Sequence, residues 1–230
     1  MNRSFVGVTT FLGLAAWMVG GRLEAQETSF VVELAEEAAA EMAGMGLEAP
    51  ISGRVYVILA ANGDREPRGQ VGIRGVPFWG RGVQGLKGGD QVTLVPGGEG
   101  VIGYPLAGLF SVPPGEYTVQ AFLNVFTTFH RADGHTVQMH LNSGAGQSPW
   151  RAPGNAFGEP RPGKIRTSGA GTVHLTVSQV IPPTHPVPDG GSMQQGNPAD
   201  RGELVRFVKI RSQVLSEFWG RYMYIGAIVL

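Results

Sequence analysis

Three histidines, His130, His135 and His140, recur at five-residue spacing, and imidazole is the commonest neutral metal ligand. Zinc ligands must converge to about 2 Å from one ion. The strand pattern around these histidines works against convergence. In a hairpin turning at residues 132–134, His130 faces Thr136 and His140 faces Phe126. The four strand positions from residue 136 to His140 then span about 13 Å. His135 falls at the turn, and His174 and His185 stand alone. The sequence thus assigns no metal ligands and no cofactor. A hydrolase nucleophile would be marked by Gly-x-Ser-x-Gly between a strand and a helix. The nearest approach, Gly190-Gly191-Ser192-Met193-Gln194, lacks the final glycine and lies in a turn-rich stretch. Ser143 and Ser168 sit in glycine-flanked turns, no phosphate-binding Gly-Lys-Ser/Thr loop occurs, and the carboxylates Asp64, Glu66, Asp90, Glu99, Glu116, Asp133 and Glu159 all lie near turns. No catalytic residue is assigned.

Binding chemistry has better candidates. Phe78 and Trp79, then Trp150 with Arg151, occur in Gly/Pro-rich stretches. Aromatic faces carried on loops can stack on a ligand, and the same residues can instead plug the end of a sheet or pack on a neighbouring domain. Phe78, Trp79, Trp150 and Arg151 are the candidate binding residues.

These residues must be positioned by a turn-rich chain, with 36 glycines and 16 prolines in 230 residues. Short β-branched runs between the turns predict an all-β, antiparallel sandwich. Lys plus Arg and Asp plus Glu are equal at 18 each, and a neutral balance with no basic block argues against nucleic acid as a partner. Residues 1–25 have the layout of a secretory signal peptide, with Arg3 ahead of an uncharged apolar run over residues 5–19 and small residues before a cut after Ala25. That run is shorter than the roughly 20 residues of a membrane span. The expected product is secreted or periplasmic, with no span after cleavage. It has no cysteine, so its core must suffice without disulfides.

Within residues 26–50, the stretch from Phe30 to Met45 is ambiguous: Phe30 to Leu34 is compatible with a strand, and Ala35 to Met42 has strong helix formers. A β-sandwich is expected over residues 51–181, with strands at 53–60, 71–73, 91–95, 117–130, 137–141 and 172–180. Residues 75–89 and 142–164 read as long loops. The register of the 117–130/137–141 hairpin follows from its apolar faces. A three-residue loop with Gly134 in the left-handed conformation pairs Phe129 with Val137, Thr127 with Met139 and Val125 with Leu141, so that the apolar faces coincide. The face carrying Tyr117, Val119, Ala121, Leu123, Val125, Thr127 and Phe129 is assigned to the core. Residues 182–202, rich in proline and glycine, read as a linker. Residues 203–230 read as two further strands. Their apolar run up to Leu230, with no closing turn, suggests the opening of a second, truncated domain.

Several segments together carry a family likeness. They include Ser52-Gly53-Arg54-Val55-Tyr56-Val57, Pro77-Phe78-Trp79-Gly80, Gly103-Tyr104-Pro105-Leu106 and Pro113-Pro114-Gly115-Glu116-Tyr117-Thr118-Val119-Gln120-Ala121. The stretches 124–135 and 209–221 add to it. These resemble the region ahead of the catalytic domain in bacterial secreted esterases, α/β-hydrolases akin to the enterochelin-esterase and esterase D group. The resemblance implies that residues 203–230 open a hydrolase domain whose catalytic core lies outside this sequence. It implies a non-catalytic accessory β-sandwich whose partner is that C-terminal hydrolase domain, the full-length protein being the esterase. No position here matches the family's nucleophile elbow, acid or catalytic histidine. The segment 114–121 also resembles transthyretin-like and carboxypeptidase-regulatory β-sandwiches, which agrees with the fold and adds no function. The alternative is a stand-alone extracytoplasmic module that binds glycan or peptide through the loop aromatics.

Overall fold

The computed structural model describes residues 28–47, 49–61, 63–141, 148–165 and 171–230. The leader expected at residues 1–25 lies outside them. In chain order the elements are β1 (Thr28–Leu34), α1 (Glu36–Gly44), β2 (Ile51–Ala60), β3 (Phe78–Leu86), β4 (Gln91–Leu94), β5 (Val101–Tyr104), β6 (Gly115–His130), β7 (Thr136–Met139), β8 (Ala156–Phe157), β9 (Arg161–Ile165), β10 (Gly171–Val177), β11 (Gln179–Val180), β12 (Arg206–Ser212), α2 (Gln213–Trp219) and β13 (Met223–Val229). The all-β expectation holds. A large sheet runs β11-β8-β6-β2-β3-β5, with β7 and β9 also on β6, and a small one runs β10-β1-β4.

The sandwich follows from strand alternation. In β1, Phe30, Val32 and Leu34 point inward and are buried; Leu175 and Val177 of β10 and Leu94 of β4 join them. They pack on the inner face of the large sheet, built from Val55, Val57 and Leu59 of β2, Val119, Ala121 and Leu123 of β6, and Trp79 of β3. Fully burying one such side chain contributes about 1.5–3 kcal/mol. The ambiguous segment after residue 30 is both strand and helix. α1 carries Glu36 and Glu37 in its first turn, where the helix dipole favours anions, and buries Ala38 and Met42 in the same core. Residues 28–47 are therefore part of the sandwich rather than a segment preceding it. β1 pairs with β10 in parallel, an exception to the antiparallel rule elsewhere.

β6 is the spine. One edge pairs with β2 from Ser52↔Phe126 to Ala60↔Thr118. The other edge is shared in succession by β9, β8 and β7. Two residues serve the gaps between these partners: Gly158 N–H donates to Ala121 O at 3.0 Å, and Asn155 Oδ1 accepts from Val125 N–H at 2.8 Å. The hairpin register is as expected for Thr127↔Met139 and Phe129↔Val137, with Gly134 at φ +85°. The expected Val125–Leu141 pair is not part of the ladder, because Asn155 has taken the Val125 donor. The polar face of β6 is buried too: Gln120, Phe122 and Asn124 lie under the loops that cover the outer face of the large sheet.

Three further expectations need correction. Residues 71–73 turn instead of forming a strand; Gly75 N–H closes on Gly72 O at 3.0 Å, and Ile73 is fully exposed. Residues 75–89 are not a loop, since Phe78–Leu86 form β3. Gly80 of β3 and Gly103 of the neighbouring β5 serve close packing. A Cβ on Gly80 would lie 2.5 Å from the Tyr56 ring, and one on Gly103 would strike the backbone at Trp79. Similarly, the irregular stretch 142–164 contains β8 and most of β9.

After β11 the proline- and glycine-rich segment folds back instead of extending as a linker. Met193 and Gln194 are buried, and Asn197 N–H closes on Pro186 O at 3.3 Å. The C-terminal unit is a β12–β13 antiparallel pair joined by α2. Ser212 caps α2 by accepting from Leu215 N–H at 3.3 Å, and Gly220 ends it at φ +66°. The unit is moored to the β6–β7 turn. Ala132 N–H donates to Phe218 O at 2.8 Å, and the Trp219 ring lies 5.3 Å from that of Phe129.

Candidate functional site

The aromatic candidates separate onto two faces of β3. Phe78 points outward and joins Tyr56, Phe122, Trp150 and Phe157 around the small outer core of Ile58, Phe122 and Ile181. Trp79, its neighbour, points inward and is 1% exposed; its indole Nε1–H donates to Pro105 O at 3.0 Å. Successive strand residues face opposite ways, so the two cannot share a surface. Trp79 belongs to the core and offers no binding face. Phe78 and Trp150 do come together, with ring centroids 5.8 Å apart in an edge-on arrangement. Trp150 also meets Tyr56 at 5.1 Å and Phe122 at 4.8 Å. The rings spend their faces on one another, as a plug does. Arg151 is exposed beside them.

A polar network secures this plug. The Gln120 amide, fully buried, accepts from Arg68 N–H at 2.8 Å and donates to Glu66 Oε1 at 2.7 Å and Gly158 O at 2.9 Å. Arg68 Nη1 donates to Trp150 O at 2.6 Å, and its guanidinium lies 4.0 Å from the centre of the Phe157 ring. Every member is partnered, which suits a clasp better than a reactive centre.

The histidines stay apart. His130 Nδ1 lies 3.2 Å from Thr136 Oγ1, in the expected register. His135 is exposed beside Asp133. His140 is half-buried with no partner on Nε2. Burial pushes its imidazole below the ordinary histidine range, against contacts with the Val125 backbone and the Asn155 side chain that pull upward. Among the described residues, no three His, Cys, Asp or Glu side chains are grouped to hold a metal, and no helix is long and apolar enough to cross a membrane.

One concavity escaped the sequence reading. A cleft of about 880 Å³ opens where the end of the sandwich meets the folded-back segment and the C-terminal unit. Its walls come from the end of α1, the start of β2, the end of β6, residues 190–195, and the turn into β13. Met45, Leu47 and Val125 line it with apolar groups, and Thr127, on the same face of β6 as Val125, adds a hydroxyl. Among the described residues lining it, Arg221 is the single charged one. The Arg221 Nε is buried without a partner, its guanidinium lies 5.4 Å from the Phe129 ring centre, and burial lowers its pKa. No local motif announces such a site, because its residues are scattered over five segments.

No protein-family model, curated protein or solved structure matches this chain.

Proposed function

We propose that this chain is a non-catalytic accessory β-sandwich that docks a following α/β-hydrolase domain of the secreted esterase type. The supporting observation is the C-terminal unit. β13 pairs with β12 alone among the described strands, and Val208, Ile210, Ile225, Ile228 and Val229 are all exposed. A two-stranded ribbon is marginal by itself, and an apolar strand with a free edge is a template for further pairing. The segment that resembles the opening of the hydrolase, residues 209–221, covers the end of β12, all of α2 and the turn into β13. In this reading β12 and β13 are the first strands of the hydrolase sheet, and α2, moored on Phe129, fixes that sheet against the sandwich.

Reading the gene beyond the Leu230 codon tests this. The expected result is an open frame with Gly-x-Ser-x-Gly between a strand and a helix, followed by an acid and a histidine. A stop codon in an intact gene would overturn the reading. At the protein level, the double variant Ile225→Lys, Ile228→Lys should lower self-association and dye binding. It should change the stability of the sandwich by no more than about 0.5 kcal/mol, as for exposed positions generally. The chain alone should not hydrolyse p-nitrophenyl esters.

A further inference from the structure

We infer that the cleft at the junction is a binding site for a small monocarboxylate with an apolar body, held at its anionic end by Arg221. The inference is independent of the hydrolase reading. Its volume, about 880 Å³, is at the upper part of the range of small-molecule sites, roughly 300–1,000 Å³. The lining sets the ligand's chemistry. Val125, Met45 and Leu47 offer an apolar wall, Thr127 on the face of Val125 offers a hydroxyl, and the only charge among the described lining residues is positive.

Arg221 has the features of a group that lacks its anion. No carboxylate of the described residues forms an ion pair with it. Its Nε is closed off by protein and unpartnered, so the terminal guanidinium nitrogens are the ones left to meet a ligand. Phe129 covers part of the group but supplies only a ring face. A partly desolvated cation without a counter-charge is costly, and a carboxylate is the anion whose geometry the guanidinium fork matches. Arg68 and Arg131 have Glu66 and Asp133 beside them, and Arg54, whose Nε is also buried without a partner, does not line this cleft. The backbone holds Arg221 in place, since its N–H donates to Ser216 O at 3.1 Å directly after the left-handed Gly220.

The test is calorimetric titration of the full chain with octanoate, and with octan-1-ol as the uncharged probe of the same length. Saturable octanoate binding is expected, with the alcohol weaker by about tenfold or more, the scale of a charge-assisted contact. Arg221→Gln should weaken octanoate by about the same factor and leave the alcohol unchanged. Thr128→Trp, at an exposed strand position that borders the cleft, should weaken both probes by obstruction while circular dichroism stays unchanged. Absence of octanoate binding by the folded chain overturns the proposal. Equal affinity for the two probes, or full octanoate binding in Arg221→Gln, also overturns it. Should Arg221→Gln fail to fold, Thr128→Trp decides: undiminished octanoate binding in that variant places the ligand elsewhere and removes the site.

Discussion

Between the sheets, Phe30, Val57 and Leu123 are fully buried and Trp79 is 1% exposed, whereas on β13 Ile225, Ile228 and Val229 are 44%, 64% and 49% exposed. The two regions have similar apolar content and opposite fates. The sandwich closes its core within its own strands, since each inner face meets another across the gap. The C-terminal ribbon has one neighbouring helix and one edge partner, so alternation there cannot hide both faces. Apolar pattern alone therefore does not tell a closed core from an exposed apolar face. What separates them is whether a second layer is present.

The sharpest way to break this comparison is to strike the closed core. Trp79→Ala should cost about 3–5 kcal/mol, the range for deleting a large buried aromatic, measured by urea unfolding. A loss near that of an exposed residue would show that the inter-sheet core is not the stabilising centre. Gly220→Ala comes next. The left-handed φ of +66° already disfavours a side chain, and a Cβ would collide with the His130 carbonyl. About 1–3 kcal/mol of strain is expected, and hydrogen exchange should rise in α2, β12 and β13 while β2 and β6 stay protected. Uniform loss of protection would mean that the two regions form one cooperative unit.

The third prediction concerns the sandwich side, where His140 meets Val125 and Asn155, and is the smallest. His140 has a pKa depressed by burial, so the folded state binds fewer protons than the unfolded chain below pH 6.5. Stability from this group is present above that pH and is lost as pH falls from there toward the depressed folded value. The acid-induced loss should be smaller in His140→Gln than in the parent chain. An identical pH profile for the two would remove His140 as a contributor.

Much of the sandwich was legible because alternation and turn chemistry act locally. The β6–β7 register came from matching apolar faces around Gly134, and the ambiguous segment after residue 30 proved to hold both a strand and a helix. β3 was hidden because Gly80 and Gly82 carry the usual signature of a loop. At Gly80 the reason is long-range: a missing Cβ makes room for Tyr56 and Arg54 from the next strand, whereas Gly82 has open space around it. Trp79 was misread for the same reason, since a residue in a supposed loop cannot be assigned to a face. The cleft was not legible at all. Arg221 acquires its setting from Phe129, α1 and residues 190–195, and nothing in its own neighbourhood says that they converge.

β1 also has a consequence in time. Its partner β10 is far along the chain, Ser29 Oγ donating to the carbonyl of Gly171 across 142 residues. The small sheet is centred on β1, so a chain emerging from its N-terminus must carry an apolar strand flanked only by later arrivals. β4 can join it early, but the layer that closes the core waits for nearly all of the sandwich to be made. Such distant pairing must meet its loop-closure cost before any contact rewards it. Assembly should accordingly be slow and all-or-none, with β1 bound late rather than serving as the template on which the fold grows.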